Sequence, residues 1–165
     1  MPSASPENPS DALVGVDPTD TRVVAIGGAR FTLGVMSAED WEDISGRLLE
    51  LRSEAIPAAI RSIVARGEDP DGKSVTGVPL LTLEMVKDKG FNRAMAEMYL
   101  KALSLTLVKV EGFVNSSGAP MPFVREGGVL SDATLEVYRR NMRVTERLWL
   151  DIAGMNTLGG TAKKP

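Results

Sequence analysis

Apolar residues follow two rhythms along this chain. Over residues 22–35, RVVAIGGARFTLGV, they alternate with other residues on either side of a Gly-Gly pair. A period of two places alternate side chains on one face of a strand. Gly27-Gly28 between two such runs reads as a two-residue hairpin turn, because the primed turns need positive φ at one or both central positions. Closing the chain there sets Val24 opposite Phe31 and Ile26 opposite Ala29. Val24, Ile26, Phe31, Leu33 and Val35 then share a face. The competing reading, a phosphate-binding loop, needs G-x-G-x-x-G running into a helix. Here the two glycines are adjacent and the residues after them continue as strand.

From residue 38 the spacing changes to three and four. Ser37 is an N-cap, with Glu39 and Asp40 in the first turn, and Trp41, Ile44, Leu48, Leu51 and Ala55 mark a helical face. The spacing predicts a helix over about 38–66. Pro57 should kink or break it, with helix resuming through Ile60, Ile63 and Val64 until Gly67. GEDPDGKSVTGVP is a loop by composition, and its acidic residues lack the ligand spacing of a calcium loop. A second helix is expected over about 82–109, weakened at Gly90. Phe91, Met95, Met98, Ala102 and Leu105 form its stripe, widened by Tyr99, Leu103 and Leu107. So wide an arc suits a central buried helix, or one that also faces a partner.

Asn115 to Gly118 is turn chemistry, and Pro120 and Pro122 exclude helix. Residues 113–123 therefore read as a compact ordered loop whose Phe113, Val114, Met121 and Phe123 need burial. A third helix is expected over about 131–153. Ser131 caps it, and Leu135, Tyr138, Met142, Thr145, Trp149 and Ile152 line one face. Arg139, Arg140, Arg143 and Arg147 occupy its other faces, where they suit helical ion pairs better than phosphate contacts. The fold class is mainly α with an N-terminal β-hairpin. It is a small helical domain over residues 21–153, between a disordered tail at 1–20 and a flexible tail at 154–165.

Composition narrows the chemistry. The 165 residues suit one domain with a real core. A net charge of −3 supplies no basic field for nucleic acid or anionic lipid. Cys and His are both absent. That removes thiolate nucleophiles, thiolate-ligated metals, the commonest general base and any Ser-His-Asp triad. Catalysis, cofactors and metals are not expected. The N-terminal residues lack the basic and apolar regions of a signal peptide, no stretch suits a membrane span, and the chain reads as cytoplasmic. Eight Met residues fit either core filling or a pliable surface for apolar partners. Trp41 and Trp149 fit core anchors.

Three segments resemble the tail assembly chaperones of long-tailed bacteriophages. They are VVAIGGARFTLGVMSAEDWEDISGRL, a hairpin entering a helix; LVKVEGFVNSSGAPMPF, which is similar to that family's turn-and-proline segment; and the helix ending LWLDIAGM. Together they span about residues 22–155. Phe113 or Val110 stands where such sequences often carry Trp, and Asn115-Ser116-Ser117 replaces an acidic turn. The resemblance implies a non-catalytic protein that binds the tape-measure protein, keeps it soluble and helps recruit tail-tube subunits. It implies action in the host cytoplasm and absence from the mature virion. Such proteins are often also made in a longer frameshifted form, and Ala162-Lys163-Lys164 can be encoded by a slippery run. On that reading Phe91, Met95, Met98, Ala102 and Leu105, or Phe113, Met121 and Phe123, are the candidate partner contacts, and self-association is open. The alternative is a permanent phage structural subunit, a head–tail connector or minor tail protein.

Overall fold

The computed structural model describes residues 19–157. Residues 1–18 and 158–165, and with them most of both expected tails and the Ala162-Lys163-Lys164 run, lie outside the described residues. In chain order the elements are β1 (Thr21–Ile26), β2 (Ala29–Gly34), α1 (Ala38–Ala65), α2 (Leu80–Met85), α3 (Lys89–Thr106), β3 (Leu107–Glu111), β4 (Arg125–Glu126), β5 (Val129–Leu130), α4 (Asp132–Arg140) and α5 (Met142–Asn156). The fold is mainly α with an N-terminal hairpin.

That hairpin has the expected register, Val24 opposite Phe31 and Ile26 opposite Ala29. Gly27 takes φ +60, the positive value that a type II′ turn asks of its first central residue. Val24, Phe31 and Leu33 are buried, with Ile26 and Val35 half-buried beside them. The hairpin is the greater part of a three-stranded antiparallel sheet of order β1-β2-β3.

One expected break and two expected boundaries are corrected. First, α1 has the expected span but runs unbroken through Pro57. Pro57 and Ser53, whose carbonyl loses its partner, are both exposed, so water can take that carbonyl. Second, the segment 82–109 is two helices and a strand. Asp88 accepts hydrogen bonds from the backbone N–H of Gly90 at 2.9 Å and Phe91 at 3.1 Å, so a new helix starts there. At the other end Leu107–Glu111 leaves α3 to pair with β2, with a bulge between Thr32 and Leu33. Third, the segment 131–153 is broken at Asn141, which has φ −115 and ψ 55. Its side-chain amide donates to the Val137 carbonyl at 2.7 Å, competing with the helix ladder. The Thr145 hydroxyl donates to the Tyr138 carbonyl at 2.8 Å across the break. α5 then continues to Asn156, so the first residues of the expected C-terminal tail are helical.

The loop after β3 is ordered by Asn115, whose Oδ1 accepts from the N–H groups of Ser117 and Ala119, both at 3.0 Å. Beyond it, β4 and β5 form a second hairpin about Gly127 and Gly128, both at positive φ. α3 lies at the centre. Leu100, Ala102, Leu103 and Leu107 are buried there with Phe31, Ile44, Tyr138, Leu148 and Ile152. Phe31, Phe113 and Tyr138 meet as a ring cluster with centroids 5.5 to 6.4 Å apart.

Candidate functional site

The N-terminal half of α3 forms the floor of an open groove of about 770 Å³. Asp88 caps the helix three residues before Phe91, the first residue of this floor, and the turn of Val86 to Asp88 separates it from α2. α3 contributes Phe91, Asn92, Met95, Ala96 and Tyr99. α1 contributes Arg52 and Ile56, α2 contributes Thr82 and Met85, and α5 contributes Met142 and Glu146. Val86 completes the wall. Three methionines, one phenylalanine and one isoleucine make the surface apolar and deformable. The volume falls within the range of ligand clefts.

A polar hub holds the α2 wall. Glu84 accepts a hydrogen bond from the Ser62 hydroxyl of α1 at 2.6 Å. It also pairs with Lys87 at 2.9 Å and Arg66 at 3.0 Å. The Ser62 hydroxyl, the Lys87 ammonium and the Arg66 guanidinium together lower its pKa to about 2. This clamp fixes Met85, the next residue, in the groove wall. On the floor Tyr99 stacks on Trp149 with centroids 5.0 Å apart, and Trp149 stacks on Trp41 at 5.9 Å. Burial raises the Tyr99 phenol above its usual range, with Arg52 opposing the shift and Glu146 adding to it. The groove lining therefore includes a phenol, a cation and an anion.

No family model, curated protein or solved structure matches the chain. The site has to be read from its own residues.

Of the candidate partner contacts, only Phe91 and Met95 line the groove. Ala102 is fully buried, and Met98 and Leu105 are half-buried against the core. The stripe is therefore the core-facing side of α3, and only its N-terminal end reaches open space. Phe113, Met121 and Phe123 also pack against the core, at the sheet end of the molecule. Met85, Met142 and Ile56 join Phe91 and Met95 in the groove, although no single stripe contains them. Met142 sits one residue past the Asn141 break, and the turn there is what aims it. The arginines of α4 and α5 are largely engaged: Arg139 with Glu97 and Glu136, Arg140 with Glu136, and Arg147 with Asp151. Among the described residues no group of three or more acidic, His or Cys side chains is placed to hold a metal ion, and no helix is long and apolar enough to cross a membrane.

Proposed function

We propose that this chain is a non-catalytic tail assembly chaperone of a long-tailed bacteriophage. It would hold apolar helical segments of the tape-measure protein, keep that protein soluble and help recruit tail-tube subunits. The observation that carries the reading is the groove: an open, methionine-rich cleft, walled by helices, on a small helical domain. A helix laid in such a cleft covers its own apolar face against side chains that adjust to several sequences. The sequence resemblance over residues 22–155 supports the same reading. The setting is the host cytoplasm, with the chain absent from finished particles.

The test is co-expression with the tape-measure protein encoded by the same phage, read by solubility and co-purification. The expected result is a soluble complex, with the chain missing from purified virions. Met142→Glu and Val86→Glu, at partly exposed groove positions, should abolish co-purification while leaving the melting temperature of the free domain within a few degrees. No effect on the partner, together with recovery of the chain from virions, would overturn the reading in favour of a permanent structural subunit.

A further inference from the structure

The two edges of the three-stranded sheet are treated differently. On β3 the edge is guarded. It carries Lys109 and Glu111, it follows a bulge in the pairing with β2, and the carbonyl of Leu107 is taken by Arg125 at 2.9 Å. Charge, bulge and cover are the usual protections of a strand edge. β1 is guarded less. Its six residues run without a bulge, and Arg22 is its one charged residue, held by Asp151 at 3.4 Å.

The register fixes which groups are open. Ile26 and Ala29 close the hairpin, so Ile26, Val24 and Arg22 turn their backbone groups toward β2. Thr21, Val23 and Ala25 therefore point theirs outward. The side chains of the same three residues lie on the solvent face, and Val23 is 50% exposed. No hydrogen bond from another described residue meets the backbone of Val23 or Ala25 on that side.

We propose that β1 is the contact through which two copies of this chain join, strand to strand and antiparallel, in one continuous sheet. The strand is complementary to itself. A two-fold axis at Val23 sets Val23 opposite Val23 and Thr21 opposite Ala25, with outward backbone groups facing each other throughout. Arg22 then meets Val24. A shift that moves the axis to Arg22 would oppose the two arginines directly, which like-charge repulsion disfavours. The contact also closes: once the two β1 edges pair, only the guarded β3 edges remain, so assembly stops at two. This surface is separate from the groove, and its test does not depend on the chaperone reading.

Sedimentation velocity of the full chain from micromolar to millimolar concentration should show a monomer–dimer equilibrium. Val23→Lys places two ammonium groups at the axis and should weaken the dimer about tenfold or more. Ala25→Pro removes an outward N–H that β2 does not use, and should weaken it likewise with the circular dichroism unchanged. Because the chain has no Cys, Val23→Cys gives a clean cross-link under oxidation. The expected product is a covalent dimer, while Leu150→Cys on α5 gives none. A monomer at every concentration, as when another segment occupies the edge, overturns the proposal. So does a dimer that both variants leave intact, or one that cross-links through Leu150→Cys and not through Val23→Cys.

Discussion

Arg125 meets carbonyls rather than carboxylates. Its guanidinium donates to the carbonyl oxygens of Ser104 and Leu107 at 2.9 Å, Leu105 at 3.3 Å and Gly128 at 2.7 Å. Three of these belong to the last turn of α3 and its exit, where orphan carbonyls gather the negative end of the helix dipole. Arg125→Met keeps the stem and removes the donors, and should cost about 2–3 kcal/mol in urea unfolding, with an unchanged m-value. Glu84 acts through its charge. Its folded pKa of about 2 lies below its ordinary 4.5. The stability it contributes is therefore present above about 4.5 and is lost as pH falls from there toward 2. Melting temperatures of wild type and Glu84→Gln, measured from pH 6 to 2, should converge at the acid end. Neither role was legible in the sequence. Arg125 stands between Val124 and Glu126 like any surface residue, and Glu84 lies 22 positions from Ser62.

At the scale of elements, what the sequence revealed depended on how far each partner lies along the chain. The β1–β2 register was readable because a Gly-Gly turn and two alternating runs sit side by side. Ser37 and Ser131 announced helix starts for the same reason, and both side chains accept a hydrogen bond from the backbone three residues on. β3 was misread as helix because LVKV continues an apolar stripe, and the strand that recruits it lies more than seventy residues earlier. The β-branched Val108 and Val110 were the available signal. Gly127-Gly128 carries the same turn chemistry as Gly27-Gly28, but only two residues pair on each side. The Asn141 break is held by local polar bonds, including that of Thr145 to Tyr138. Thr145→Val, matched in shape, should destabilise the domain by about 1–2 kcal/mol by thermal denaturation.

At the scale of the molecule, α3 joins two regions of different character. Its C-terminal half is enclosed by sheet, α4 and α5. Its N-terminal half opens on the groove. The core end should be unforgiving: Leu148 is fully buried, and Leu148→Ala should cost about 3 kcal/mol by chemical unfolding. Half of the groove lay hidden in the sequence for a geometric reason. Phe91 and Met95 share a stripe, whereas Met85 and Met142 are brought beside them by one turn and one helix break. The aromatic stack on the groove floor gives the molecule its own optical reporter. The only two tryptophans of the chain lie face to face, one of them on Tyr99, which lines the cleft. Indole emission should shift when a peptide fills the groove, so occupancy can be followed in real time on the unlabelled protein.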